Sequence, residues 1–231
     1  MNWLSKYLTS SVGRKLTMSL TGLFLILFLV VHLVGNLQLL KDDSGEAFNK
    51  YTYFMTHNPL IKVISYSLYA FIILHTIQGL LLWSFNRKAK GQTYAVKAAV
   101  PGINPAAEYM ALLGTLILFF LIIHMGDFWW KMKTEQLDTR SYEDFANGET
   151  IANLYTRVSV AFQNPLIVIV YVIGQIVLFF HLSHGFQSAF QTLGVNHPKY
   201  TPFIKTLGKI YSVIVPLGFA MIPILFYFMH K

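Results

Sequence analysis

Of 231 residues, 55% are hydrophobic and only 12% charged, a balance that excludes an ordinary water-soluble domain and suits a polytopic membrane protein. The formal net charge of +8 lies in short segments between apolar runs, where membrane topology is encoded, and so argues against a nucleic-acid partner. There is no cysteine, which excludes disulfides, thiolate-held iron–sulfur clusters and covalently attached c-type haem within this chain.

From the N-terminus, MNWLSKYLTSSVGRK leads into an apolar run longer than a signal-peptide core, with no small-residue cleavage site close behind it. A retained helix is expected there. Five spans are predicted, at 16–38, 59–85, 108–130, 162–185 and 209–230, forming a single integral membrane domain, 1–231. Each is long enough to cross about 30 Å of hydrocarbon at about 1.5 Å per residue. The fold class expected is all-α, with the first four helices forming a bundle and the fifth, which carries Pro216 and Pro223 and is expected to kink, packing against it.

Loop charge alternates along the chain. The N-terminal segment has Lys6, Arg14 and Lys15 and no acid, whereas the first loop has Lys41 and Lys50 against Asp42, Asp43 and Glu46. Arg87, Lys88, Lys90 and Lys97 face only Glu108 in the second loop, which Pro101 and Pro105 interrupt. Six acids between Asp127 and Glu149 outnumber Lys131, Lys133, Arg140 and Arg157 in the third loop, and the fourth has Lys199, Lys205 and Lys209 with no acid. The positive-inside rule places the N-terminus and the second and fourth loops in the cytoplasm, and the C-terminus outside. Trp129, Trp130, Tyr51, Tyr53 and Phe54 then fall near the outer boundary, as amphipathic rings do.

Four histidines stand inside the apolar runs: His32, His75, His124 and His181. An imidazole is costly in hydrocarbon, so an intramembrane histidine is a functional candidate by default. The predicted orientation puts His32 and His124 in the outer half and His75 and His181 in the inner half. A Gly-x9-His pattern recurs as Gly22–His32 and Gly114–His124, and His-x3-Gly recurs as His75–Gly79 and His181–Gly185. A glycine four residues from a histidine lies on nearly the same helix face and leaves room for a large flat group. Gly35 and Gly174 are placed to act similarly, although glycine is also common at membrane helix contacts.

Neutral imidazole is an axial ligand for haem iron, and two histidines from facing helices at one depth make a six-coordinate, electron-passing haem. Competing readings are a proton relay, a zinc site, structural histidines, or a haem-free transporter. A relay would bring buried carboxylates, which the central parts of these helices lack, and zinc gathers its ligands at one point. His184, one turn beyond His181, is an alternative ligand on spacing. His57 and His197 precede Asn-Pro and Pro and suit turns, and His230 is terminal.

Two segments, SSVGRKLTMSLTGLFLILFLVVHLVGNL and FHLSHGFQSAFQTLGVNHPKY, together with one histidine in each of the first four helices, carry a family resemblance. The chain resembles, over essentially its whole length, the di-haem five-helix cytochrome b anchor of succinate:quinone oxidoreductases (succinate dehydrogenase and fumarate reductase). The resemblance implies two haem b groups, with His75 and His181 on the inner iron and His32 and His124 on the outer; it selects His181 over His184. It further implies a subunit of an enzyme, with no catalysis alone. A flavoprotein subunit with FAD and an iron–sulfur subunit would dock on the cytoplasmic face of the inner (cytoplasmic) membrane. Electrons from succinate would leave through a quinone, menaquinone being usual for di-haem members. Fumarate-reducing relatives with a transmembrane proton path carry a glutamate two residues before the fourth-helix histidine; Phe179 stands there in this chain, which favours succinate oxidation. Alternatives are fumarate reductase working in reverse, or an anchor for a hydrogenase or formate dehydrogenase. Arg14, Lys15, Arg87 and Lys88 are candidates for pairing with haem propionates or a partner. No spacing singles out a quinone pocket, and Asn36, Gln38 and Glu46 are polar residues at the relevant end.

Overall fold

The computed structural model describes residues 2–89, 105–145 and 148–229; Lys90, Lys97, Pro101 and His230 lie outside the described residues. The chain is an all-α membrane protein in which five helices are long and apolar enough to cross a membrane. Helix α1 (Trp3–Thr9) precedes α2 (Ser11–Asn36), whose first turn is capped by the Ser10 hydroxyl accepting from Gly13 N–H at 2.9 Å. A 3₁₀ turn, Leu37–Leu40, extends the first span to Ser11–Leu40. Then come α3 (Glu46–His57), α4 (Pro59–Ala89), α5 (Pro105–Glu108) and α6 (Met110–His124). A π-helical segment, Met125–Trp130, and α7 (Lys131–Lys133) carry the third span to Lys133. After a short hairpin, α8 (Leu154–Phe162), α9 (Pro165–Thr192) and α10 (Thr201–Met229) complete the chain.

The fourth and fifth spans, Pro165–Thr192 and Thr201–Met229, are longer at one end than hydropathy indicates. Their extra turns hold polar residues that end an apolar window without breaking a helix. The hairpin, β1 (Thr139–Ser141) paired antiparallel with β2 (Thr150–Ala152), has no sequence signal, because strands of three residues are too short to show alternation. Helix α10 runs through both internal prolines, which are buried against its neighbours.

Helices α2, α4, α6 and α9 form a four-helix ring: α2 packs on α4 and α9, and α6 packs on α9 and α4. Helix α10 lies outside the ring against α9 and α2, and the Tyr211 hydroxyl ties it there by donating to Ile26 O at 2.6 Å. The side-chain cores follow this asymmetry. One joins α8, α9 and α10 through Phe162, Tyr171, Ile222 and Phe226; the other joins Ile26 to Leu182, Phe186 and Ile204. Both are built on α9, and α6 contributes no fully buried side chain.

One end of the ring is closed by α3, the hairpin and α8. Asn49, fully buried, holds them together: its amide donates to the Tyr142 hydroxyl at 3.1 Å and to Asn153 Oδ1 at 2.9 Å, while its oxygen accepts from Tyr155 N–H at 3.0 Å. Asp43 caps α3 by accepting from Gly45 and Ala47 N–H. Gly45, at φ 84°, is doubly constrained, because a Cβ there would run into the ring of Tyr155. We call this the capped end.

Candidate functional site

The four intramembrane histidines meet as two pairs across the ring. His32 on α2 and His124 on α6 have ring centres 5.7 Å apart with planes at 86°. His75 on α4 and His181 on α9 have centres 6.3 Å apart with planes at 67°. It is His181, not His184, that faces His75. His57, expected in a turn, is the last residue of α3 and stacks on Tyr53 at 3.9 Å, whereas His197 lies in the loop before α10, its Nδ1 accepting from Lys199 N–H at 3.2 Å.

The two pairs lie at different levels. A Cβ built on Gly22 would lie 3.2 Å from His75 Cε1, and one on Gly114 would lie 3.7 Å from His181 Cε1. Each glycine stands ten residues before the other pair's histidine on its own helix, so the levels are separated by about 15 Å of helix rise. The His32–His124 pair is nearer the capped end.

Each level has its own surroundings. His32 stacks on Phe28 at 5.1 Å and meets Phe219 of α10 at 5.5 Å. His124 stacks on Phe120 at 5.8 Å and touches Phe128 and Tyr171. The Asn36 amide donates to His32 O at 2.7 Å and lies 3.4 Å from His32 Nδ1. The Tyr171 hydroxyl lies 3.4 Å from His124 Nδ1. Immediately after His124 the chain enters the π-helical segment, a device common at functional sites. Arg157 of α8 clamps this segment, its Nη2 pairing with Asp127 Oδ1 at 2.9 Å and its Nε donating to Asp127 O at 3.1 Å. The Trp129 indole also anchors it, donating to the Tyr69 hydroxyl on α4 at 2.8 Å.

At the other level the Thr21 hydroxyl sits 3.1 Å from His75 Nδ1. His181 Nδ1 is buried and has no hydrogen-bond partner. Gly79 faces the end of Met18 and Gly185 the end of Met110.

Gly35 and Gly174 serve differently from the flat-group role expected of them. Their open faces are covered by the protein's own rings, Tyr51 on Gly35 and Phe120 on Gly174. Burial pushes the Tyr51 phenol above its ordinary pKa. Glu46 pairs with Lys50, and the Arg14 guanidinium lies over the Phe85 ring at 3.9 Å.

Several of these partners belong to a longer internal repeat in the sequence. Met18, Gly22, Phe28 and His32 on α2 recur at a constant offset as Met110, Gly114, Phe120 and His124 on α6. Likewise Asn58-Pro59-Leu60-Ile61, His75 and Gly79 recur as Asn164-Pro165-Leu166-Ile167, His181 and Gly185. Asn58 and Asn164 cap their helices alike, accepting from Leu60 and Leu166 N–H at 3.0 Å. Since α4 and α9 start the same way and reach histidine after the same number of residues, their rings must fall at one level.

Imidazole nitrogens bind metals at about 2 Å and lie about 1 Å from their ring centres, so two rings on opposite sides of one iron have centres about 6 Å apart. Both pairs fit that span. The orphaned His181 Nδ1 and the glycine edges against His75 and His181 fit a buried flat group between the rings. Among the described residues no three His, Cys, Asp or Glu side chains converge, so the arrangement is paired and not the clustered donor set of a zinc centre. Compared with family models, curated proteins and solved structures, the chain matches none.

Proposed function

We propose that this chain is the membrane-anchor and electron-transfer subunit of a succinate:quinone oxidoreductase, holding two b haems, one between His75 and His181 and one between His32 and His124. The observation that carries the reading is the pair of histidine pairs, each with the ring separation of a bis-imidazole iron and stacked along one bundle. The family resemblance of the two quoted segments supplies the succinate-oxidising context and menaquinone as acceptor. Phe179, in place of the proton-path glutamate of some fumarate-reducing relatives, favours oxidation of succinate as the working direction.

When bound, haem would supply a one-electron ferrous/ferric couple, held by His75 and His181 at one level and by His32 and His124 at the other. The chain's own residues do the rest. The histidines fix position and ligation. Phe28, Phe120, Phe128 and Phe219 exclude water around the His32–His124 level. The basic N-terminal and second-loop residues set orientation in a cytoplasmic membrane, with the flavoprotein and iron–sulfur subunits on the N-terminal side.

The test is purification of the chain with its native partners. Expected are a flavoprotein and an iron–sulfur subunit, two low-spin haems per chain and haem reducible by succinate. His75→Ala or His181→Ala is expected to remove one haem, and His32→Ala or His124→Ala the other. Absence of haem, or co-purification with a different dehydrogenase, overturns the reading.

A further inference from the structure

Thr21 is buried, with 4% of its surface exposed, and its hydroxyl has three close neighbours: Thr17 O at 2.7 Å, Met18 O at 3.2 Å and His75 Nδ1 at 3.1 Å. Carbonyl oxygens can only accept, so the single hydroxyl proton goes to Thr17 O, the shorter contact, or is shared with Met18 O. The Thr21 oxygen is left to accept, and His75 Nδ1 must be the donor. A proton on Nδ1 leaves the Nε2 lone pair free. The neighbouring residue completes the cradle: Gly22 gives the Cε1 edge room, at 3.2 Å from where a Cβ would stand.

The α6 copy of this dipeptide is Leu113-Gly114. Gly114 again gives the histidine edge room, but leucine offers no acceptor, and His181 Nδ1 is a buried nitrogen without a hydrogen-bond partner. The two rings of one pair therefore differ in their outer hydrogen bonding, and the difference sits at one position of the repeat.

We infer that Thr21 is a positioning residue for His75, accepting the Nδ1 proton so that Nε2 is presented toward His181, and that it tunes the iron this pair would hold. The inference rests on the haem reading proposed above. Hydrogen bonding from the outer ring nitrogen raises ligand basicity and favours the oxidised metal. Loss of the acceptor should therefore raise the midpoint potential of one haem and leave the other unchanged.

The experiment is a spectroscopic redox titration of the intact complex for wild type, Thr21→Val, which keeps the shape, and Thr21→Ser, which keeps the hydroxyl. Expected for Thr21→Val is a rise in the potential of one haem, equivalent to about a tenfold change in its reduced-to-oxidised ratio at fixed ambient potential, with Thr21→Ser close to wild type. Loss of that one haem in Thr21→Val but not in Thr21→Ser supports the same role. Unchanged potentials in Thr21→Val overturn it, as does equal disturbance by both substitutions, which would mark a packing role only. Absence of low-spin haem in wild type would instead refute the functional reading itself.

Discussion

The two glycines that face histidines make unequal predictions. At Gly22 a new Cβ would stand 3.2 Å from His75 Cε1 and 3.7 Å from its Nδ1; at Gly114 it would stand 3.7 Å from His181 Cε1. Carbon atoms pack best at about 3.5–4.0 Å. Gly114→Ala therefore adds an ordinary contact, whereas Gly22→Ala forces the His75 ring to retreat by a few tenths of an ångström. That ring is not free to retreat, because its Nδ1 is held by Thr21 at 3.1 Å. Moving it away from α2 stretches a bond with a net worth of about 1 kcal/mol, and overpacking generally costs about 1–3 kcal/mol. Gly22→Ala is expected to lose about 1–3 kcal/mol, and Gly114→Ala about 0.5 kcal/mol or less. Thermal unfolding of the two variants in the same detergent, with haem content measured alongside, compares them directly. Equal destabilisation, or a larger effect at Gly114, would refute the reasoning.

Two further predictions concern the capped end. Asn49→Ala removes three hydrogen bonds and leaves the Tyr155 N–H without its acceptor, a loss of about 3–4 kcal/mol that hydrogen exchange should report as faster exchange at Tyr155 and across the hairpin; unchanged protection there would contradict the network. Arg157→Gln releases the π-helical segment behind His124 by removing both contacts to Asp127, at about 1–2 kcal/mol for a pair with a fifth of each side chain exposed. Its spectral effect should be confined to the His32–His124 site, and an equal effect on both sites would show that the clamp is not local.

The architecture was legible because the strongest signals in a membrane protein are long-range and simple. Apolar length marks all five spans, and an imidazole in each of the first four stands out against leucine and phenylalanine. Loop charge and helix direction sort His32 with His124 and His75 with the histidines of α9, and the family resemblance selects His181 over His184. Partner identity was harder. Thr21, Asn36 and Tyr171 are ordinary residues whose roles arise from what stands opposite them, and a hydroxyl on a helix normally only bonds its own backbone, as Thr21 also does. Gly35 and Gly174 misled for a related reason: a glycine announces a close approach but not the approaching group, which at these positions is Tyr51 and Phe120. The hairpin and the π-helical segment had no periodicity to declare them. The π segment depends on an arginine from α8, about thirty residues away.

The repeat shows which features the two histidines of one pair share and which set them apart. Conserved between the halves are the helix-opening Asn-Pro-Leu-Ile, the histidines, the glycine edges, and the phenylalanines stacked one turn before His32 and His124. Not shared are Thr21 against Leu113, Asn36 against Phe128, and Gln78 against His184. Each of these unmatched positions lies on or within one turn of a histidine's surroundings, and each exchanges a polar group for an apolar one or one polar group for another of different chemistry. A perfectly repeated bundle would give each pair two equivalent histidines, because the repeat relates His32 to His124 and His75 to His181. Substituting a few residues makes the two rings of one pair unequal without moving the helices, because the glycine and histidine positions hold the geometry while their neighbours alter the hydrogen bonding.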